Sequence, residues 1–289
     1  MFQRRLNPLR EQSFFLFGAR GTGKSTFIKS QFKPENALWI DLLNSKDEDL
    51  YTRDPSHLER EIESRRSRGV KTSWVVIDEV QKALRLLDTV HRIIESRGAP
   101  VHFALTGSSA RKLKRGGANL LGGRANLYIM NPLSRSELGG KFDLATALHW
   151  GTLPRIYQLS NERQRASALR AYVQVYLREE VLIEQLVRNL VPFKGFLEVS
   201  AQMNGERNNY EKLSRDIGSD NKTVQSYYDI LEETFLGFRL PAFHLSVRKS
   251  QLLQPKYYWF DLGVQRFLSG QHRSQLVPAT PGYGRAFET

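Results

Sequence analysis

The sequence predicts an α/β fold, a parallel sheet covered by helices, followed by a mainly helical region. Two features carry that expectation. Five short apolar runs in the first half, FFLFG (14–18), ALWID (37–41), SWVVID (73–78), VHFALT (101–106) and NLYIM (126–130), alternate with helix-like segments. Strands that are apolar throughout and separated by helices belong to parallel sheets buried on both faces. Right-handed crossovers then limit the strand order to a few doubly wound arrangements. After the turn formers of NPLSRSELGGKF (131–142), the apolar spacing becomes helical, as in RASALRAYVQVYLREEVLIEQLV (165–187) and FKGFLEVSAQMNG (193–205).

With 289 residues the chain fits one large domain and a smaller one. It has no cysteine, which excludes disulfides and thiolate metal sites and agrees with a reducing cytoplasm. No apolar run approaches the roughly 20 residues that span a bilayer. The start, MFQRRLNPLREQ, has early arginines but lacks the apolar core of a secretory signal. The expectation is a cytoplasmic protein with no membrane partner. A net charge of +13 suits nucleic acid as a partner, or a basic and well-solvated surface. Apart from RKLKR (111–115), the excess is spread along the chain.

The first run leads into Gly18-Ala19-Arg20-Gly21-Thr22-Gly23-Lys24-Ser25-Thr26, which fits G-x-x-x-x-G-K-[ST] at every fixed position. The glycines let successive N–H groups turn inward on a β-phosphate, and the helix that follows adds its positive end. In that arrangement Lys24 reaches the β- and γ-phosphates and the Ser25 hydroxyl holds Mg2+. The loop also has the context it needs, after a strand and before STFIKSQF.

Between the second and third runs, DPSHLEREIESRRSRG predicts a helix capped by Asp54, with Pro55 at its first position and Gly69 at its end. The third run, WVVIDEV (74–80), then places Asp78 and Glu79 at the carboxyl edge of the sheet, where open α/β folds bind ligands. Asp78 is the expected Mg2+ ligand, through water, and Glu79 the general base that polarises the attacking water. A binding-only site needs just the first acid. Glu79 would equally suit the start of a helix, where an acid meets the dipole.

After it, KALRLLDTVHRIIESRG puts Leu84, Leu87, Val90 and Ile94 on one helical face before Gly98. The fourth run ends in Thr106, with Ser108 just beyond, and its strand is expected between the first and third. Either hydroxyl would then touch the γ-phosphate or the water, or else cap the next helix. Arg124, just before the fifth run, is a candidate finger for a neighbouring subunit's γ-phosphate, a sensor, or a surface arginine.

Together GARGTGKST, WVVIDEVQKA, ALTGSSARKL and LLGGRANLYIMNPLSRSEL resemble the AAA-type ATPases of bacteria and archaea that carry a winged-helix region and a C-terminal domain of unknown function. The resemblance continues through GTLPRIY, YVQVYLREEVL, YEKLSRDIGSDNKTVQSYYDILEETFLGFRLPAF and PKYYWFDLGVQRFL, essentially end to end. It implies a P-loop NTPase core with a five-stranded parallel sheet. In that sheet an additional strand lies between the Walker A and Walker B strands. It also implies ATP and Mg2+ as ligands, with nucleotide and metal roles for Lys24, Ser25, Asp78 and Glu79 and a sensor role for Ser108. Arg124 matches the family's Gly-Arg pair.

The expected divisions are an ATPase core at 1–135, a helical lid or linker at 136–192 and a winged-helix-like domain at 193–268. Residues 269–289 are expected to begin a C-terminal domain. Relatives continue past YGRAFET into a domain that looks like a restriction-endonuclease fold. No Asp…Glu-x-Lys set follows residue 261, so nuclease chemistry is not expected. ATP rather than GTP rests on the resemblance, supported by the absence of an Asn-Lys-x-Asp motif.

NNYEKLSRDIGSDNKTVQSYYDILEETFLGF reads as a helix-turn-helix. Leu213 and Ile217 face inward, and Gly218-Ser219-Asp220 makes the turn. A second helix runs from about Asn221 to Phe235 with Val224, Tyr228 and Leu231 inside. Asn221, Lys222, Thr223 and Gln225 are of the types that contact bases and phosphates in a major groove. Against that stand Glu232 and Glu233 in the later turns, which suit a protein-contact module instead. GFRLPAFHL and KYYWFD supply the wing strands, KYYWF (256–260) being either a stacking platform or a buried strand. Double-stranded DNA, a protein partner and a homo-oligomer all stay open.

Overall fold

The computed structural model describes residues 2–96, 101–110, 123–175, 190–246, 248–249 and 253–289. RKLKR (111–115), the helix end at Gly98 and the part of the expected long helix from residue 176 lie outside them. The chain divides into two compact units, Gln3–Asn131 and Met1–Phe2 with Pro132–Thr289. The expected divisions at 136–192, 193–268 and 269–289 all fall within the second unit.

In the first unit, strands β1 (Ser13–Phe17), β2 (Ala37–Asp41), β3 (Trp74–Asp78), β4 (His102–Gly107) and β5 (Ala125–Ile129) form one sheet in the order β2-β3-β4-β1-β5. Every pairing is parallel. Side chains alternate between faces along a strand, and both faces of the central strands are buried. Phe14, Leu16, Trp74, Val76 and Ala104 pack on one side with Phe27, Ile28 and Phe32. Phe15, Phe17, Val75, Ile77, Phe103 and Leu105 are buried on the other. Edge strand β5 departs from the expected full burial, with Leu127 and Ile129 exposed.

Helix α1 (Lys24–Gln31) has only 8 residues, too few to be stable alone. Burial of Phe27 and Ile28, about 1.5–3 kcal/mol each, holds it to the sheet. Helix α2 (Ser45–Arg53), capped by Asn44, was not anticipated. Helix α3 (His57–Ser67) starts later than expected, because Asp54 accepts from Ser56 and Arg60 and so stabilises the turn before the helix. Helix α4 (Leu86–Glu95) buries Leu86, Leu87, Val90 and Ile93, one residue out of the expected phase at its end.

The second unit is mainly helical. Helices cover Leu144–Trp150, Pro154–Gln158 and Glu162–Val175, then Leu190–Gln202, Tyr210–Asp216 and Asn221–Glu233. An antiparallel pair follows, β6 (Gly237–Leu240) with β7 (Lys256–Trp259), and then a helix at Leu262–Leu268. Helix Asn221–Glu233 buries Val224, Tyr227, Tyr228, Ile230 and Leu231. Its tyrosines meet Phe193, Phe196 and Tyr257 at centroid distances of 4.9–5.2 Å. Tyr257 and Trp259 are themselves buried. KYYWF is therefore core and not a stacking platform.

One buried carboxylate closes this unit. Asp261 Oδ2 accepts from Thr152 N at 2.7 Å, and Oδ1 accepts from Val264 N at 3.0 Å, capping helix Leu262–Leu268. The approach is so close that a Cβ at Gly151, whose φ is +75°, would overlap the carboxylate. A Cβ at Gly263 would overlap the Trp150 carbonyl. Burial pushes the Asp261 carboxyl up to about 6, against the pull of its backbone donors.

With the folded value above the unfolded one, the folded state holds the proton more tightly. Stability should therefore fall as pH rises from about 4 to about 6. Asp261→Asn should flatten that part of a stability–pH profile measured by chemical denaturation. Asp261→Ala, which orphans two backbone donors, should cost about 2–4 kcal/mol.

Candidate nucleotide site

The sheet register builds the site. Phe17 is level with Gly107, and Ile77 is level with Leu105. The phosphate loop, the acid pair and the end of β4 therefore share the carboxyl edge, with β4 between β1 and β3.

Gly18 opens the loop where a Cβ would overlap the carbonyl oxygen of Met130 at the end of β5. Gly23 caps α1 from the left-handed region, at φ 96°. Thr22 closes the turn between them, its hydroxyl donating to Ala19 O at 2.8 Å. Lys24, buried, curls back over the loop and donates to Gly18 O at 2.8 Å and Ala19 O at 3.1 Å. Arg20, Gly21 and Thr26 are exposed, and Ala19 is buried. Ser25, half-buried on the first turn of α1, keeps its hydroxyl clear of the loop's own hydrogen bonds.

Across the edge, Thr106 serves both acids. Its hydroxyl donates to Asp78 Oδ1 and accepts from Glu79 N at 3.1 Å. Glu79 stands in the left-handed region, φ 58° and ψ 50°, and its residue type adopts this conformation only at a cost of order 1 kcal/mol. It does not begin a helix in the ordinary way. It turns the chain into a short 3-10 segment, Val80–Lys82. Its Oε2 accepts from Ser108 Oγ at 3.2 Å, Ser108 N at 3.3 Å and the Gln81 amide. Sequence reasoning missed Gln81, whose only signal was an uncharged polar side chain two positions beyond the acid.

A Mg2+ ion keeps several waters and takes one or two protein oxygens beside those of a phosphate. Asp78 and Ser25 fit that demand. Thr106 occupies one carboxylate oxygen of Asp78 and leaves the other for a second partner. No cluster of three acidic or imidazole side chains exists among the described residues.

Arg124 precedes β5 at the opposite edge of the sheet. Five residues of strand, about 16 Å, separate it from the loop's level. It pairs with Glu95 at 2.8 Å and approaches His91 at 3.2 Å. At that distance Arg124 does not reach a nucleotide on its own loop as a sensor, and the readings as a surface arginine or as a finger towards another subunit stay open.

In the second unit, Asp220 caps helix Asn221–Glu233 by accepting from Thr223 N at 2.9 Å and Thr223 Oγ1 at 2.7 Å. Asn221 Oδ1 accepts from Ser214 at 2.8 Å. Asn221 and Thr223 thus hold the turn together; Asn221, Lys222 and Gln225 are exposed and Thr223 is half-buried. Glu232 and Asp229 are paired with Arg239 of β6, at 3.0 Å and 2.6 Å. Burial works against the Arg239 charge, but those hydrogen bonds more than offset it and raise its pKa.

Residues 10–139 match the family model of an AAA domain, and residues 141–275 that of a domain of unknown function (DUF8612). With the parallel sheet and loop, the first match supports an AAA-type P-loop ATPase at the level of the family. The chain is also similar to the Walker-type ATPase PABY2304 of Pyrococcus abyssi, with a TM-score of 0.57 over 89% of this chain and 90% of that one. At 12% identity the likeness is one of fold. Uncharacterized proteins of Mycobacterium bovis and Mycobacterium tuberculosis are each 22% identical over 214 residues, 74% of this chain and 48% of theirs. The chain therefore spans about half the length of these curated relatives. No helix among the described residues is long and apolar enough to cross a membrane.

Replacing Thr106 by Val keeps the volume but strands Glu79 N–H and one Asp78 oxygen. Thr106→Val should destabilise the first unit by about 1–3 kcal/mol in chemical denaturation.

Proposed function

We propose that the first unit binds ATP with Mg2+ and hydrolyses it, Glu79 acting as general base. One observation carries the reading. The second acid of the pair, at a strained backbone position, has its carboxylate fixed to β4 on the same sheet edge as the phosphate loop.

The loop from Gly18 to Thr26 supplies backbone N–H groups to the phosphates, and Lys24 exchanges its two loop carbonyls for phosphate oxygens. Ser25 and Asp78 hold Mg2+, which neutralises charge on the phosphates. Glu79 takes the proton of a water as its oxygen attacks the γ-phosphorus, and the bond to the β–γ bridging oxygen breaks, releasing ADP and phosphate. Ser108, bonded to Glu79, is positioned to report on the γ-phosphate. Arg124 acts, on this reading, on a neighbouring subunit's nucleotide in a homo-oligomer.

Helix Tyr210–Asp216, helix Asn221–Glu233 and the β6–β7 pair make a winged-helix-like module in this reading. Turnover is coupled to remodelling of DNA or of a protein. Exposed Lys222 and Gln225, and the neutralisation of Glu232 and Asp229 by Arg239, support duplex DNA. The second reading is a slow nucleotide switch whose module contacts a protein, favoured by the structural use of Asn221 and Thr223.

Phosphate release from Mg-ATP by the purified chain tests the chemistry. Glu79→Gln should lower the rate by on the order of 10²–10⁴ with nucleotide binding retained. Lys24→Ala should abolish binding of a fluorescent ATP analogue. Duplex DNA that stimulates turnover supports the first reading, and Lys222→Ala should then weaken DNA binding and lower the salt slope by about one. Turnover indifferent to DNA supports the switch.

A further inference from the structure

We propose that Gln81 is a positioning residue for Glu79: its amide clamps one carboxylate oxygen so that the other faces the attacking water. The inference rests on the reading of Glu79 as the base.

Three donors converge on Glu79 Oε2, namely Gln81 Nε2, Ser108 Oγ and Ser108 N. Gln81 Nε2 also donates to Ser108 Oγ at 3.1 Å, closing a triangle of side chains. The backbone is fixed as well, through Glu79 N and Thr106. A carboxylate tied this way has lost its rotational freedom through one oxygen. Its other oxygen, Oε1, takes part in none of these bonds and is the atom left to accept a proton. The amide orientation follows from the chemistry, since turned over it would set Gln81 Oε1 against the carboxylate.

Gln81 is only 4% exposed, and its Oε1 is buried without a hydrogen-bond partner. An unpaired buried acceptor costs stability, and an apolar side chain of the same length would avoid that cost. The position also needs room on β4, where a Cβ at Gly107 would stand 2.8 Å from Gln81 Oε1. A residue kept for packing alone would shed the amide. One kept for its N–H donors would not.

Gln81→Met provides the test in the full chain, because it keeps length and burial and removes only the amide. The expected result is a kcat lowered roughly 10–100-fold, with KM and the affinity for a fluorescent ATP analogue within about twofold of wild type and melting unchanged or raised. In the Glu79→Gln background the same substitution should have no further effect on rate, since groups acting as a unit are not additive. Without nucleotide, the side-chain amide signals of Gln81 in NMR should shift on Glu79→Gln.

An unchanged kcat, a raised kcat, an equal loss in both backgrounds, or amide signals indifferent to Glu79 would each overturn the inference. Turnover that depends on Glu79 and not on Gln81 removes this inference alone. A wild type with no turnover removes the reading of Glu79 and this inference with it.

Discussion

The hydroxyl of Thr106 holds the candidate site together. It donates to Asp78 and accepts from Glu79 N, so one side chain on β4 fixes both the last residue of β3 and the turn that follows. That bond is possible because β4 runs between β1 and β3 and ends level with both. The strained φ of Glu79, the short 3-10 turn and the placement of Gln81 follow from it. A loop alone would hold phosphate. With the acids pinned beside it, the edge also holds, at a defined place, the carboxylate that we propose activates water.

What was legible in the sequence was local. The loop from Gly18 to Ser25 could be read because few residue types serve its geometry: glycine where another strand's carbonyl or a left-handed φ excludes a side chain, and lysine where phosphate charge collects. The runs of β1 to β4 announced their strands for the same reason, since a strand buried on both faces has no place for polar residues, whereas β5 is apolar and yet partly exposed. The acid pair was legible as a pair, but its geometry was not. That Glu79 leaves the strand in a left-handed turn depends on a hydroxyl 27 residues away.

Other features were out of reach because the residues concerned have competing partners, some near in sequence and some far. Asp54 and Pro55 make a plausible helix start, yet the hydrogen bonds of Asp54 to Ser56 and Arg60 delay it. Nothing in DEVQ tells a structural glutamine from one bonded to the acid, until β4 brings Ser108 alongside. Asn221 and Thr223 read as groove-facing side chains, and nothing in the sequence shows that they also bond to Ser214 and Asp220 at the turn. Arg124 stands beside β5 as the sequence suggests, and its pairing with Glu95 at the end of the strand away from the loop was not legible.

The Asp261 carboxylate reaches back 109 residues to Thr152 N, across everything from helix Pro154–Gln158 to the β6–β7 pair. The peptide between is closed like a loop by the bond from Thr152 N, while the bond from Val264 N caps the helix that follows. The segment 193–260 lifted out of this chain would leave that clasp behind. Asp261 thus ties the segment before helix Pro154–Gln158 to the segment after β7 within one compact unit.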